Sequence, residues 1–328
     1  MRKKRPREYN GVWKIFPRKL RGMIHLFRPF TLLAPLIGGI TGALMALANE
    51  GDLTAPFIAD TFPYLRWDFP FLVLFWGALT LVIVNAASNT LNQVYDLDID
   101  KINKPYRPLP QKTITKDEAR TIAWVLYLIT LWRITMLNRE FATLVLILML
   151  VTIFYSVPPL RFKQRFLLSN ISIAFARGLI GFVAAWSIFD NTILPWEEPT
   201  PWAIGLLFGI YLMGAVTTKD FTDIEGDRKY GMNTLPVVLG MKGSILFSAP
   251  FFVIPFVLIP LGIWRGLLIP ETMIISVFIV WGVYIIFLLT YNADDVDTRF
   301  ENSPVWKHMY MMLVAMQLAF CAVYIIYA

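Results

Sequence analysis

The sequence predicts an all-α integral membrane protein with about nine transmembrane helices. Of its 328 residues, 57% are hydrophobic and only 16% are charged, whereas a soluble domain is nearer half apolar and a quarter charged. The apolar residues are concentrated in long blocks, and the basic residues lie mainly in the loops between those blocks. Because a helix crosses a bilayer with roughly 20 mostly apolar residues, this distribution indicates that lipid surrounds most of the folded chain.

Nine segments have the length and composition of a membrane span. They are residues 30–48, 71–95, 121–137, 141–158, 168–189, 201–219, 244–263, 271–290 and 308–327. The third and fourth are the weakest pair, because two Arg, one Asn and one Glu lie within residues 133–140, where the chain must turn back sharply.

The chain divides into a short arm and one large domain. Residues 1–24 are basic, and we expect them to form a cytoplasmic N-terminal arm that touches lipid head groups. Residues 25–328 are predicted to be a single transmembrane domain. An acidic loop follows the second span and another follows the sixth, and this offset indicates two similar four-helix halves, about 25–160 and 168–290, plus a ninth helix.

Basic residues favour alternate loops, and this bias predicts the orientation of the protein. The loops after spans 2, 4 and 6 carry Lys101, Lys104, Arg107, Lys112, Lys116, Arg120, Arg161, Lys163, Arg165, Lys219, Arg228, Lys229 and Lys242. The opposite loops carry only Arg66, Arg133, Arg139 and Arg265. We therefore expect a protein of the cell membrane whose N-terminus and motif-bearing loops are cytoplasmic and whose C-terminus is outside.

Composition also excludes several kinds of functional site. The net charge is +7, but membrane topology explains it better than nucleic-acid binding does, so we expect no nucleic-acid partner. The one cysteine, Cys321, excludes an internal disulfide and a Cys-based metal site. The two histidines, His25 and His308, are too few for a His-rich centre. Any metal ion would therefore bind to oxygen ligands.

An acidic motif follows the second span. If the helix continues through it, Asn92, Asp96 and Asp100 lie at i, i+4 and i+8 on one face, and Asn85 and Asn89 extend the same polar ridge backwards. Asp98 points to the other side and is expected to be solvated.

The loop after the sixth span repeats this spacing. Asp220, Asp223 and Asp227 lie at i, i+3 and i+7, so that Asp223 and Asp227 match Asp96 and Asp100. Such carboxylate pairs repel each other unless a cation lies between them, and Mg²⁺ prefers oxygen ligands together with substrate phosphates. Two facing pairs could therefore hold two Mg²⁺ ions that bridge one diphosphate. The cluster Asp294, Asp295 and Asp297 lacks the paired spacing and is interpreted as a solvated loop.

Several cations suited to a diphosphate lie near these motifs. They are Arg28, Lys104, Arg107, Arg161 and Lys163. Tyr155 is a candidate for stabilising a carbocation, since aromatic faces attract positive charge. Arg177 lies inside the fifth span, where a charge is costly, and the sequence leaves open whether it lines a cavity or pairs with a structural partner.

The motifs resemble the signatures of a known family. Asn92-x3-Asp96-x3-Asp100, followed by Asn103-Lys-Pro-Tyr-Arg107-Pro, is similar to the first signature of the UbiA superfamily of intramembrane prenyltransferases. Asp223-x3-Asp227-Arg-x2-Gly231 resembles the second signature, and Tyr155-Ser-x-Pro-Pro-x-Arg-x-Lys163 resembles that of loop 4–5. Arg28-Pro29 resembles the start of the first helix, so the resemblance extends from about residue 25 to residue 240.

The resemblance implies nine helices around a central cavity, with cytoplasmic-side caps that carry the Asp motifs. It implies catalysis and Mg²⁺ binding by Asp96, Asp100, Asp223 and Asp227, with Asn92 also on the metal–diphosphate. It implies diphosphate contacts from Arg28, Arg107 and a basic residue of loop 4–5, for which Arg161, Lys163 and Arg165 compete. The resulting chain would be a Mg²⁺-dependent prenyltransferase, a transferase of alkyl groups other than methyl.

The substrates implied are a polyprenyl diphosphate, such as geranylgeranyl diphosphate, and a lipid-soluble acceptor, both reached from membrane lipid. The sequence leaves the identity of the acceptor open, and the candidates are a glyceryl ether lipid, a chlorophyllide-type tetrapyrrole and an aromatic quinone precursor. An alternative from another class is a membrane transporter with an acidic cytoplasmic site, which would place charges deep within several spans. A phosphoalcohol transferase also uses paired Asp, but its single-helix signature is absent from the sequence.

Overall fold

The computed structural model describes residues 16–49, 70–192, 194–291 and 304–328, and these residues form helices and the loops between them. The first helices are α1 (Arg18–Phe27), α2 (Leu33–Asn49), α3 (Pro70–Tyr95), α4 (Leu97–Asn103), α5 (Lys116–Ile134) and α6 (Arg139–Ser156). They are followed by α7 (Leu168–Ile173), α8 (Gly181–Trp186), α9 (Thr200–Asp220), α10 (Ile224–Lys229), α11 (Leu235–Ser248), α12 (Ile254–Trp264), α13 (Ile279–Tyr291) and α14 (Pro304–Tyr327). The prediction of an all-α membrane protein is confirmed.

Eight segments within the described residues are long and apolar enough to cross a membrane. They match the predicted spans except the third, which corresponds to α5. Helix α5 has 19 residues and packs along α3, but its charged first turn (Asp117 and Glu118) and Arg133 make it more polar than the other spans. With α5, the long helical segments agree with the predicted number of about nine.

The hairpin between α5 and α6 shows how a polar segment is accommodated. The Arg133 guanidinium donates to Thr80 Oγ1 at 2.9 Å and to the Trp76 carbonyl at 2.7 Å, and it lies 3.7 Å from the Trp76 ring centre. Asn138 caps α6 through the Phe141 N–H at 2.7 Å and donates to the Ser187 carbonyl at 2.5 Å. These contacts satisfy Arg133 and Asn138, two of the four polar residues that made the pair of spans look weak, and Arg139 is exposed.

The seventh span differs from its predicted range of 244–263. It begins at Leu235 and runs to Trp264. Gly240 lies within it at φ +69°, a left-handed conformation that breaks the helical path. Because the prediction relied on one uninterrupted apolar block, it missed the helical turn before this glycine.

The helices surround a cavity of about 230 Å³. Residues of α2, α3, α6, α9, α14 and the fifth span line it. Helix α2 packs against α3, α8 and α14, while α9 packs against the fifth span and α11. Residues 1–15 of the predicted arm and the acidic cluster Asp294, Asp295 and Asp297 lie outside the described residues, whereas residues 18–24 belong to α1.

Candidate active site

The first acidic motif continues the helix of the second span through a bend. Helix α3 ends at Tyr95 and α4 begins at Leu97. The Asp96 N–H still donates to the Asn92 carbonyl at 2.9 Å, and the Asp100 N–H donates to the Asp96 carbonyl at 2.7 Å. The predicted stripe of Asn92, Asp96 and Asp100 is therefore built by nearly continuous helix. Asp98 is exposed, as predicted, and pairs with Lys101 at 2.7 Å.

The second acidic motif turns more sharply. Helix α9 ends at Asp220, and the Asp223 N–H donates to the Asp220 carbonyl at 3.0 Å in a tight turn. Helix α10 follows, with the Asp227 N–H donating to the Asp223 carbonyl at 2.9 Å. The spacing of Asp223 and Asp227 thus repeats that of Asp96 and Asp100, but Asp220 lies before the bend.

One asparagine joins the two motifs. Asn103 Nδ2 donates to the Asp223 carbonyl at 2.8 Å, and the Gly226 N–H donates to Asn103 Oδ1 at 2.8 Å. The contact is so close that a Cβ at position 226 would lie 2.6 Å from Asn103 Nδ2. Helices α4 and α10 are therefore held side by side, which places the two acidic motifs at the same end of the bundle.

Basic side chains interleave with the carboxylates. Lys163 forms an ion pair with Asp96, and Arg161 Nη2 lies 3.4 Å from the same carboxylate. Arg107 Nη1 donates to both oxygens of Asp100, at 3.0 and 2.8 Å. Arg165, the third candidate of loop 4–5, is exposed. Loop 4–5 thus reaches the first acidic motif through Arg161 and Lys163.

Lys104 links the two motifs by charge. It is buried and pairs with Asp223 at 2.5 Å, although it belongs to the segment that follows Asp100. Burial acts to raise the pKa of Asp223, but Lys104, Arg107 and Lys219 together hold that pKa below its ordinary value. For Asp100 burial prevails over Arg107 and raises the pKa.

Asp227 has a different environment from the other three carboxylates. It accepts a hydrogen bond from Thr234 Oγ1 at 3.3 Å and forms no ion pair with any residue that the structure describes. Burial, followed by the neighbouring Asp220 and Asp223 carboxylates, raises its pKa to about 7. Asp220 Oδ2 is buried without a hydrogen-bond partner among the described residues. This side of the site therefore has an excess of carboxylate oxygens, which suits a divalent cation.

The carboxylates do not converge on one point. Among the described residues, no three Asp, Glu, His or Cys side chains lie close enough to share a metal ion. Each of Asp96, Asp100 and Asp223 has a cation as its partner instead. The oxygen donors fit Mg²⁺ chemically, and binding it would require them to exchange these cations for the metal.

The polar ridge of α3 has a role that the sequence did not reveal. Asn85 Nδ2 donates to the Thr31 carbonyl at 3.2 Å, Asn89 Nδ2 donates to the Phe27 carbonyl at 3.0 Å, and Gln93 Nε2 donates to the Leu26 carbonyl at 2.7 Å. These bonds hold the junction between α1 and α2, where Arg28 adopts a left-handed conformation with φ +56°. Asn85 and Asn89 of the ridge, with the neighbouring Gln93, therefore position Arg28 rather than the carboxylates.

The cavity meets the acidic motifs at its polar end. Asn92, Arg28 and Tyr155, all predicted site residues, line it. So do Lys219 and Arg177, which settles the sequence-based alternatives for Arg177 in favour of the cavity. Lys219 was seen only as a loop cation, because its position at the end of α9 depends on where that helix stops.

The sequence matches a known protein family over most of its length. The sequence model of the UbiA prenyltransferase family matches residues 55–325. The chain belongs to the UbiA prenyltransferase family. It is accordingly a prenyltransferase and an integral membrane protein, as the motifs predicted.

Relatives in the family act on different acceptors. A probable homogentisate phytyltransferase 2 of Oryza sativa is 27% identical over 296 residues, which cover 86% of this chain and 74% of the relative. A digeranylgeranylglyceryl phosphate synthase of Methanocaldococcus jannaschii is 28% identical over 266 residues, covering 78% and 82%. The solved structure of a UbiA homolog from Archaeoglobus fulgidus bound to DMAPP and Mg²⁺ has a TM-score of 0.67 at 20% identity, covering 93% and 99%. At that identity the likeness concerns the fold.

Proposed function

We propose that this UbiA-family enzyme transfers the prenyl group of a polyprenyl diphosphate, such as geranylgeranyl diphosphate, to a lipid-soluble acceptor and releases diphosphate. One observation carries the proposal. Two acidic motifs, joined through Asn103, meet at one end of a membrane-embedded cavity, and four basic side chains lie among their carboxylates. Carboxylates for a metal and cations for a diphosphate are thereby combined next to an apolar chamber.

The proposed metal is Mg²⁺, with two ions on one diphosphate. Asp96, Asp100, Asp223 and Asp227 would hold it together with Asn92. Bound there, Mg²⁺ would neutralise the negative charge that develops on the leaving diphosphate. The Archaeoglobus fulgidus homolog binds DMAPP and Mg²⁺, which supports this assignment.

The protein's own residues would orient the diphosphate. Lys163, Arg161 and Arg107 lie within reach of the acidic motifs, and Arg28 lines the same cavity. Arg offers paired donors to phosphate oxygens, and Lys offers a point charge. When the allylic C–O bond breaks, the apolar wall of the cavity would exclude water, and Tyr155 would face the carbocation with its ring.

The acceptor is proposed to be a glyceryl ether lipid, a chlorophyllide-type tetrapyrrole or an aromatic quinone precursor. Relatives support all three, because they include a digeranylgeranylglyceryl phosphate synthase, a chlorophyll synthase and a probable homogentisate phytyltransferase. The basic residues of loops 2–3 and 4–5 support a cytoplasmic position for the acidic motifs.

The test is diphosphate release from geranylgeranyl diphosphate by purified protein, with and without Mg²⁺, across these three acceptor classes. We expect Mg²⁺-dependent release with one of them. Asp96→Asn and Asp223→Asn should abolish it, while Asp98→Asn, which changes an exposed carboxylate on the same helix as Asp100, should retain it. Full activity of Asp96→Asn or Asp223→Asn would refute the metal site.

A further inference from the structure

The backbone around Arg177 has an unusual helical conformation. Residues Ala174–Ile180 form a π-helical segment between α7 and α8, within the fifth span. Such wider turns are rare and occur frequently at functional sites. The segment is pressed against α9, because a Cβ at Gly178 would lie 2.4 Å from the Gly209 Cα atom. The backbone that carries Arg177 is therefore fixed against a neighbouring helix.

The Arg177 guanidinium has no anionic partner within the described part of the chain. Its hydrogen bond is a long one, from Nη2 to Asn89 Oδ1 at 3.5 Å. The side chain borders the cavity and is accessible there. A charge in a membrane span is costly unless it is paired or faces a polar ligand or water. Arg133 illustrates the paired alternative, because its guanidinium is satisfied by Thr80 and Trp76.

The depth of Arg177 separates it from the cations that pair with the first acidic motif. Its partner Asn89 precedes Asp96 by two helical turns, which corresponds to about 10 Å along α3. Lys163, Arg161 and Arg107 instead contact the carboxylates of the first acidic motif directly. A hydrocarbon tail gains nothing from a guanidinium. Arg28 is the cavity cation assigned to the diphosphate, and it lies at the same depth, because Asn89 also donates to the Phe27 carbonyl beside it. Arg177 is therefore a second cation at this depth, and a second anion would use it.

A second polar group faces the same chamber. Gln317 lines the cavity from α14, and its Oε1 is buried without a hydrogen-bond partner among the described residues. The wall of the chamber therefore contains a polar amide as well as a guanidinium, and a purely hydrocarbon ligand would use neither.

We propose that Arg177 binds an anionic group of the acceptor, a carboxylate or a phosphate, and that the enzyme thereby selects anionic acceptors over neutral ones. The proposal rests on the prenyl transfer proposed above and adds the charge of the second substrate. The guanidinium would form a charge-assisted hydrogen bond with that group, and its fixed position would orient the acceptor's nucleophilic atom toward the acidic motifs.

Binding to matched probes tests the proposal directly. The purified protein is loaded with Mg²⁺ and an unreactive thiolo analogue of geranylgeranyl diphosphate, and the affinities of two probe pairs are measured by thermal shift. One pair is homogentisate and its amide, and the other is geranylgeranylglyceryl phosphate and geranylgeranylglycerol. We expect the wild-type protein to bind the anion of at least one pair about 10 to 100 times more tightly than its neutral partner.

The variants distinguish a binding role from a structural one. Arg177→Gln should lose the anion preference, Arg177→Lys should keep part of it, and both should bind the diphosphate analogue within about twofold of wild type. Arg133→Gln, which changes the paired intramembrane arginine, should lower stability and leave the preference intact. The proposal is overturned if wild type shows no preference in either pair, if Arg177→Gln keeps it, or if that variant weakens the diphosphate analogue equally.

Measurements of diphosphate release separate the proposed role of Arg177 from the proposed prenyl transfer. If diphosphate is released equally well with charged and neutral acceptors, the prenyl-transfer function stands and the role of Arg177 is refuted. If no acceptor supports release but Arg177→Gln abolishes the anion preference, the binding role stands and the transfer function is refuted.

Discussion

Asn103 donates its side-chain N–H to the Asp223 carbonyl at 2.8 Å, and this bond connects residues that lie on opposite halves of the chain. Together with the bond from the Gly226 N–H, it fixes the relative position of the two acidic motifs. The shared site depends on this alignment, since each motif alone provides half of the proposed carboxylates.

Asn103→Ala should therefore lower both activity and stability. Two hydrogen bonds at a partly buried position would be lost, which we expect to reduce the free energy of unfolding by about 1–3 kcal/mol and the rate of prenyl transfer by about 10-fold or more. Thermal melting and diphosphate release measure the two effects.

The matched control is Asn138→Ala. Asn138 also makes two main-chain hydrogen bonds, but it lies in the hairpin between α5 and α6. We expect a similar loss of stability without a loss of kcat/KM. Equal losses of activity in both variants would mean that activity follows overall stability rather than the alignment of the motifs.

Lys163→Ala should weaken binding of the prenyl diphosphate. The Lys163 ammonium lies at Asp96, within the proposed diphosphate site, and removing a charge-assisted contact is expected to raise KM for the diphosphate about 10 to 100 times. Arg165→Ala changes an exposed side chain of the same loop and should leave KM unchanged. If Arg165→Ala raised KM as much as Lys163→Ala does, the assignment of this diphosphate contact to Lys163 would be wrong.

Asp227 should make the stability of the protein depend on pH. Its pKa in the folded state is raised to about 7 from an ordinary value of 3.8. The stability associated with its protonated form is therefore present below about pH 4 and lost as pH rises through about 7. In EDTA at pH 8, Asp227→Asn should melt at a higher temperature than wild type, and the difference should shrink at pH 5.

With Mg²⁺ and geranylgeranyl diphosphate at pH 8, wild type should melt at a higher temperature than Asp227→Asn, because the wild-type carboxylate then has a cation. Asp98→Asn serves as the control and should melt like wild type in every condition. A melting temperature of Asp227→Asn that stays below wild type at pH 8 in EDTA would contradict the prediction.

Two substitutions of Arg28 separate the effect of its backbone conformation from the effect of its side chain. Its φ of +56° favours glycine. Arg28→Gly should therefore be more stable than Arg28→Ala, by about 0.5–1 kcal/mol. Both should lose affinity for the diphosphate to the same extent while the acceptor affinity changes little. If Arg28→Gly retained wild-type diphosphate affinity, the backbone conformation alone would explain the residue.

The residue positions that the sequence predicted and the structure shows share one property, which is a fixed spacing along a helix. Asn92, Asp96 and Asp100 lie on one face because their spacing follows the helical period. Spacing could not reveal partners, however. Only the folded bundle shows that Asn85 and Asn89 bond to the carbonyls around Arg28, or that Lys104 pairs with Asp223 on another helix.

Helix ends were the other element that the sequence did not determine. Lys219 and Asp220 line or adjoin the site because α9 stops at Asp220 and the chain turns. Gly240 similarly divides the seventh span. The end of α9 and the break at Gly240 both depend on tertiary contacts and on local backbone conformation. A run of apolar residues does not predict either of these. The choice among Arg161, Lys163 and Arg165 needed the path of loop 4–5, which brings the first two to Asp96.

The ion pairs of Asp96 with Lys163, Asp100 with Arg107 and Asp223 with Lys104 have a thermodynamic consequence. A metal that takes a carboxylate releases its cation, and a diphosphate that takes a cation releases its carboxylate. Each ligand thus removes the competitor of the other, which is positive linkage, and by reciprocity the gain is the same in either order of addition. Mg²⁺ and the prenyl diphosphate should consequently bind as a cooperative pair, each weakly alone.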